Sequence, residues 1–459
     1  MNLLLNSDSY KYTMHVQYPP GTEYVYSYIE SRGGQYDDML FFGLQGFIDE
    51  YLTKPITKHD IDEAEKYLFK HVGVFNREGW DYILEKHDGY LPIEIAAVPE
   101  GTVLPVKNCI LTVVNTDPKC YWLTTFLETA LLRAIWYPTT IATQGYHTKK
   151  RIKRYLDITC GFSDGIDYML HDFGCRGVSS LESSMIGGVA HLVNFKGTDN
   201  VPALVYANKF YGSDMAGESV PAMEHSTVTS WGRENEFDSY NNMVDQYASF
   251  PIVSSVSDSY DIFEACHYAG KHLKDKIIAN NQTYVIRPDS GDPEKVVIQC
   301  LEILSEYFEC KENPKGYKEL SNVKILWGDG INHDSIERIM YVVAMAGYSI
   351  NNLVFGSGGA LLQQMNRDTM KFAMKCSAIC VNGKWVDVYK DPITDNVKKS
   401  KKGCVTLFHN PLNKPTYFTD VIDNPDRDSS NKIALDVVYR NGKRWVTHTL
   451  DDIRKRASK

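Results

Sequence analysis

The 459-residue chain carries 49 Lys and Arg against 58 Asp and Glu, a net charge of −9, with 43% hydrophobic and 23% charged residues. These proportions exclude disordered, collagen-like and low-complexity classes. A mildly acidic chain is also a poor general binder of nucleic acid, so any phosphate must be met in a local basic pocket. Ten scattered cysteines without a Cys-x-x-Cys pair point to reduced thiols rather than a disulfide framework or structural zinc. Met1 to Asp8 offers three leucines and no basic flank, too little for a signal peptide. No run approaches the ~18 apolar residues of a membrane span, so a cytoplasmic location without membrane contact is expected.

In chain order, Tyr24 to Tyr28 alternates like a strand, and Asp60 to Phe69 opens on acidic residues and continues at helical spacing. Leu91 to Ile95 and Ile110 to Val114 read as strands. Trp122, Phe126, Leu127, Ala130, Leu131 and Ile135 fall at i, i+3, i+4 intervals, predicting a buried helix over Tyr121 to Trp136. From about Tyr168, short apolar runs alternate with helix-like stretches: Tyr168 to Leu170, Leu192 to Phe195, Ile252 to Val256, Tyr284 to Ile286, Val323 to Trp327 and Leu353 to Phe355. Their spacing of roughly 25 to 40 residues is one strand, one helix and two loops. After about Lys375 the pattern turns to β again, with hairpins centred on Asn382-Gly383 and Asn441-Gly442. The expected fold is α/β. Residues 151–375 form an irregular (β/α) barrel-like catalytic domain, and residues 1–150 with 376–459 form a mixed α+β domain. The loop Lys398 to Lys402 is basic, either a solvated turn or a phosphate contact.

Ligands of parallel α/β folds bind at the carboxyl ends of the strands. Here those ends read His171-Asp172-Phe173-Gly174-Cys175-Arg176, Lys196-Gly197-Thr198-Asp199, Ser257-Asp258-Ser259, Arg287-Pro288-Asp289-Ser290-Gly291, Gly328-Asp329-Gly330 and Gly356-Ser357-Gly358-Gly359. A single Asp after a strand is commonly a helix cap, a role open to Asp258 or Asp334. Five at successive ends, with Arg176 and Arg287 among them, describe a phosphosugar site. Carboxylates accept ribose hydroxyls or hold Mg²⁺, and guanidinium groups grip phosphate. Gly358 and Gly359 lie between a strand and a helix, so their N–H groups suit a monophosphate, with Arg367 and Lys375 downstream as charge partners. His225 stands beside Glu224, which could orient its ring as a nucleophile or acid/base. Tyr10 and Phe173, taken alone, read as core aromatics.

Asp8-Ser9-Tyr10-Lys11, His171-Asp172-Phe173-Gly174, His191 to Asp199, Glu224-His225-Ser226-Thr227, Ser257 to Asp261, Arg287 to Gly291 and Gly328-Asp329-Gly330 stand in order along the chain. In this arrangement the sequence resembles the nicotinamide phosphoribosyltransferases, a type II phosphoribosyltransferase family. The resemblance implies a pentosyltransferase of NAD salvage that joins nicotinamide to phosphoribosyl pyrophosphate with Mg²⁺, releasing pyrophosphate. It further implies a homodimer with shared active sites, and ATP as an optional co-substrate that phosphorylates His225. By position, Phe173 and the partner subunit's Tyr10 would stack on the pyridine ring, and Asp199 would accept from the carboxamide. Arg176, His225 and Arg287 would meet the diphosphate, Arg287 also lying by the ring. Asp289 would hold the ribose hydroxyls, and Gly328, Asp329, Gly358, Gly359, Arg367 and Lys375 the ribose phosphate. Arg32 and Lys390 would reach in from the partner, and the Mg²⁺ ligands are left unassigned.

Two positions depart from the family pattern: Cys175 stands where animal members have an aromatic, and Ala360 where a further glycine usually follows the phosphate loop. Two other readings stay open: a nicotinate phosphoribosyltransferase, against which Asp199 argues because a carboxylate repels a carboxylate, and a catalytically idle binding or signalling protein on the same scaffold.

Overall fold

The computed structural model describes residues 2–162, 164–394, 399–410, 412, 416–422 and 433–459. They fall into two compact units, one of 1–143, 209–212 and 365–459, the other of 144–208 and 213–364. The division therefore falls at 143/144 and 364/365, where the sequence pattern suggested 150 and 375.

The first unit is built on a seven-stranded antiparallel sheet. Its order is Lys384–Asp387, Phe372–Val381, Thr22–Ser31, Cys109–Asn115, Ile93–Ala97, Asp436–Arg440 and Lys443–Arg444. Both Asn-Gly pairs make the expected tight turns. Asn382 and Gly383 have φ of 49° and 75°, Asn441 and Gly442 49° and 83°, the left-handed pair a two-residue hairpin needs to follow strand twist. Thr57 and Asp60 form a reciprocal capping box that starts the helix Lys58–His71. The helix expected over Tyr121 to Trp136 is instead a 3-10 turn Pro118–Cys120, a short helix Leu123–Phe126 and a long one, Glu128–Thr159, that continues through Pro138. Its apolar positions pack as the spacing requires: Trp80 is 1% exposed and meets Trp122 and Phe126 edge-on, with ring centroids 4.7 Å and 5.2 Å away. Lys398 of the basic loop lies outside the described residues.

The second unit holds six parallel strands in the order Gly197–Thr198, Leu170–Asp172, Leu353–Ser357, Val323–Trp327, Thr283–Arg287 and Ile252–Val256. Five of them coincide with or overlap the apolar runs read from the sequence. The run Leu192 to Phe195 does not form a strand: Leu192 ends the helix Leu181–Leu192, started by the Ser180 side chain, Val193 to Phe195 make the buried turn after it, and the strand follows at Gly197–Thr198. A four-residue apolar run carries no period that separates a strand from a buried helix end.

The two edge strands are joined by an extended segment that is not itself a regular strand. Thr198 N–H donates to the Glu218 carbonyl (3.0 Å) and Glu218 N–H to that of Lys196 (2.8 Å). Farther along, Met223 N–H donates to the Ser254 carbonyl (3.0 Å) and Ser254 N–H to that of Pro221 (2.9 Å). Residues 218–223 thus complete an irregular barrel. Among the described residues no helix is long and apolar enough to cross a membrane.

Trp80→Ala removes the ring at the centre of this aromatic group in the first unit. It should lower that unit's stability by about 3–5 kcal/mol, read as a shifted urea midpoint by circular dichroism.

Candidate active site

A cavity of about 390 Å³ runs along the inside of the barrel. Phe173, Asp199 and Arg287 line it at the carboxyl ends of the strands, and Tyr168, Ile252, Thr283 and Asn351 at the opposite ends. Most of its wall is aliphatic or aromatic, the surface a flat uncharged ring prefers.

Phe173 takes its position from glycines. Its N–H donates to the Ser357 carbonyl (2.9 Å), and a Cβ on Gly356 would lie 2.1 Å from its ring. The ring can lie across that strand only because residue 356 has no side chain. The Arg287 guanidinium sits over the ring, 6.0 Å from its centroid. Nearby, a Cβ on Gly177 would stand 3.3 Å from the Gly359 nitrogen, and one on Gly174 2.9 Å from the Gly358 carbonyl oxygen. The turn carrying Arg176 is therefore seated directly on the Gly358-Gly359 loop. The third loop, Gly328 to Gly330, is held by the Trp327 indole N–H, which donates to the Asp329 carbonyl (2.7 Å).

Burial tunes the groups behind the ring. Asp172, fully buried, accepts from Gly174 N–H (2.7 Å) and Asn200 Nδ2 (2.9 Å), yet desolvation pushes its carboxyl up to about 6. His171, lining the cavity, is lowered to about 4, again mainly by burial, so at neutral pH it presents an uncharged imidazole. Asp199 is exposed at the cavity rim and accepts from the Ser219 hydroxyl at 2.6 Å, on the segment that closes the barrel.

His225 is oriented differently from the sequence expectation. Its Nε2 lies 3.0 Å from Asp258 Oδ1, and the other Asp258 oxygen accepts from the Ser290 hydroxyl. Glu224 instead bonds the Ser226 hydroxyl and caps its own short helix, leaving the imidazole to Asp258. Asp258 is correspondingly not a helix cap, for Asp261 caps the helix Ile262–Tyr268, and Asn332 rather than Asp334 caps His333–Met345. The Asp289 carboxyl is raised, chiefly by burial, with Asp258 and Asp329 adding to the effect and Arg287 and His225 opposing it. These five groups therefore share one electrostatic neighbourhood.

The remaining sequence-selected residues belong to the first unit. Tyr10 is no core aromatic: it is 59% exposed, with the Lys11 ammonium 5.1 Å from its ring centroid. Arg32 pairs with Glu30 (3.2 Å). Lys375 is lowered, first by burial and then by Arg32, Lys390 and Lys11, with Glu128 opposing. Lys401, from the basic loop, also bonds Glu30. Arg367 is exposed beside Asp368. Sequence reasoning gave no role to Lys11, which is buried against Glu128, or to Ser219, and named Ser290 and Gly356 only as members of strand-end runs. For Lys11 the available signal was adjacency to Tyr10; for Ser219 there was none.

The strand-end loops, the interior cavity and the histidine–carboxylate pair define a phosphosugar-handling α/β barrel. A model of the nicotinate phosphoribosyltransferase family matches residues 168–443, and one of the nicotinamide phosphoribosyltransferase N-terminal domain matches 2–95. A nicotinamide phosphoribosyltransferase of Xanthomonas campestris pv. campestris is 49% identical over 99% of this chain and 98% of its own length. One of Acinetobacter baylyi is 33% identical over 99% and 97%. In fold, the chain is similar to nicotinate-nucleotide pyrophosphorylase from Pyrococcus furiosus (TM-score 0.62, 16% identity, 100% of this chain and 94% of that one). It is also similar to human nicotinic acid phosphoribosyltransferase (TM-score 0.58, 14% identity, 99% and 93%). The chain belongs to the nicotinate phosphoribosyltransferase family, and its full-length relatives are of the nicotinamide branch.

Because the folded His171 resists protonation down to about pH 4 while the unfolded one titrates near 6.5, its contribution is complete above pH 6.5 and is lost as pH falls toward 4. The stability of the wild type relative to His171→Gln should therefore shrink between pH 7 and pH 5 in paired urea titrations.

Proposed function

We propose that this protein is a nicotinamide phosphoribosyltransferase, making nicotinamide mononucleotide and pyrophosphate from nicotinamide and phosphoribosyl pyrophosphate in NAD salvage. The observation that carries this reading is the apolar cavity with Phe173 and Asp199 at its mouth, beside Arg287, Asp289 and the glycine loops, in a chain so close to nicotinamide-branch relatives. An uncharged pyridine slides against Phe173, and Asp199 accepts from the carboxamide N–H₂. A carboxylate in place of the amide would face Asp199 as a like charge.

The reaction breaks the bond between the anomeric carbon and pyrophosphate, and the ring nitrogen forms the new one. Pyridine nitrogen is already a nucleophile, so no strong base is needed. Catalysis rests on holding that nitrogen behind the sugar and on stabilising the leaving anion. In this reading Arg176 and Arg287 do the second, Asp289 accepts ribose hydroxyls, and the N–H groups of Gly328, Asp329, Gly358 and Gly359 take the 5-phosphate. Mg²⁺ suits this neighbourhood, because the raised Asp289 carboxyl lies within the field of Asp329 and Asp258. Asp289 and Asp329 would hold the ion, which when bound neutralises diphosphate charge.

His225, held by Asp258, is the acceptor we infer for the γ-phosphoryl group of ATP. The cationic neighbourhood of Arg32, Lys375 and Lys390, with exposed Tyr10, supports a homodimer in which Arg32, Lys390 and Tyr10 serve the partner's site. A cytoplasmic setting follows from the substrates.

The deciding measurement is chromatography of products from nicotinamide or nicotinic acid with phosphoribosyl pyrophosphate and Mg²⁺, with and without ATP. Nicotinamide mononucleotide should dominate, and nicotinate mononucleotide as the main product would move the protein to the nicotinate branch. Asp199→Asn should shift the amide-to-acid ratio toward the acid by tenfold or more, the worth of one charge contact of ~1.4 kcal/mol. An unchanged ratio removes Asp199 from substrate choice.

In His225→Ala, ATP hydrolysis and acid-labile phosphohistidine should disappear while slow ATP-independent synthesis persists. Normal hydrolysis by that variant would refute the assignment.

A further inference from the structure

Three different metal donors meet in the first unit. His87 follows the helix Arg77–Lys86 as its C-cap, Asp117 begins the turn Pro118–Cys120, and Cys120 ends it. The imidazole nitrogen, one carboxylate oxygen and the thiol sulfur all lie within 4.8 Å of one another. We propose that His87, Asp117 and Cys120 bind a Zn²⁺ ion, a site separate from the groups assigned to phosphoribosyl transfer.

The donor set chooses the metal. Mg²⁺ and Ca²⁺ want oxygen ligands, whereas one imidazole, one thiolate and one carboxylate form a mixed N, S, O set suited to zinc. No Cys-x-x-Cys spacing advertises it, because the histidine lies 30 residues upstream of the aspartate and the three meet only in the fold.

The surroundings are those of a supported ligand set. His87 Nε2 stands 2.8 Å from Asp117 Oδ2, which also accepts from the Tyr82 hydroxyl (3.0 Å), while Oδ1 accepts from Lys119 N–H (2.8 Å). Tyr82 and the Lys119 amide thus orient the carboxylate from behind, as outer partners of metal ligands do. A His–Asp pair alone would account for two of the groups. It does not account for Cys120, whose sulfur is wholly buried and makes no hydrogen bond among the described residues, yet faces the carboxylate. On binding, the Cys120 S–H bond breaks, its proton passes to solvent and the S–Zn bond forms. His87 binds through Nε2, exchanging its bond to Asp117 for a shared ion. The side chains of His87 and Asp117 are 25% and 18% exposed, giving the ion a way in and leaving a fourth position for water.

The test uses the full-length chain, stripped with a chelator and titrated with Co²⁺ as the optical probe, then with Zn²⁺. Expected are about one Co²⁺ per chain, the intense near-ultraviolet band of a cobalt–thiolate bond, and its loss when Zn²⁺ is added. Zn²⁺ should also raise the thermal midpoint. Cys120→Ser should abolish the band. His87→Gln, at a partly exposed position that leaves the core intact, should weaken binding by tenfold or more and abolish the thermal shift. Absence of the band in the wild type, or an unchanged band and affinity in either variant, overturns the proposal.

Discussion

The six parallel strands of the second unit would leave unpaired N–H and C=O groups along two edges, at Gly197–Thr198 and Ile252–Val256. Residues 218–223 meet both edges with backbone hydrogen bonds, and much of the chemistry depends on that closure. It encloses the apolar cavity and places Ser219 against Asp199. It also delivers His225, two residues beyond the bridge at Met223, beside Asp258, which follows the opposite edge strand. A backbone constraint thereby becomes a functional one, because an unpaired buried edge costs more than a single side-chain contact can return.

Around the barrel, charge is sorted by depth. The interior is lined mainly by apolar groups and by a histidine kept neutral by burial, with the Lys324 ammonium tied to the Asn351 carbonyl at the far end and Asp199 and Arg287 at the carboxyl ends of the strands. Cations and carboxylates are gathered at the carboxyl ends of the strands, where solvent and a bound cation can moderate their mutual field. The Asp289 carboxyl is raised chiefly by its own burial, with Asp258 and Asp329 adding to the effect. The loops themselves approach through glycines: Phe173 lies on Gly356, and the Arg176 turn lies on Gly358 and Gly359. Such close approaches to glycine backbone, by a ring at Gly356 and by backbone at Gly358 and Gly359, hold the loops together without filling the space a phosphate needs.

The first unit contributes in a different manner. Its sheet is antiparallel, with tight Asn-Gly turns. In this unit, among the described residues, Lys11 pairs with Glu128, Arg32 and Lys401 pair with Glu30, and Lys375 feels the charges of Arg32, Lys390 and Lys11. Excess cations of this kind are expensive in an isolated fold, and polyphosphate is the counter-charge they suit.

Much was legible from residue order alone. The hairpins followed from Asn-Gly, whose positive φ is a local demand, and five barrel strands from short apolar runs ending in Asp, Arg or Gly. The family resemblance was carried by unbroken motifs such as His171 to Gly174 and Arg287 to Gly291. What only tertiary structure decided is which distant groups touch. Asp258 rather than the adjacent Glu224 holds His225, and Gly197–Thr198 rather than Leu192 to Phe195 makes the strand. Tyr10 is exposed rather than buried, and residues 218–223, with no strand pattern of their own, close the barrel. The reason is physical: hairpin turns and helix caps are set by neighbours in sequence, whereas a carboxylate's partner, an edge's complement and a ring's exposure are set by what the rest of the chain brings within a few ångströms.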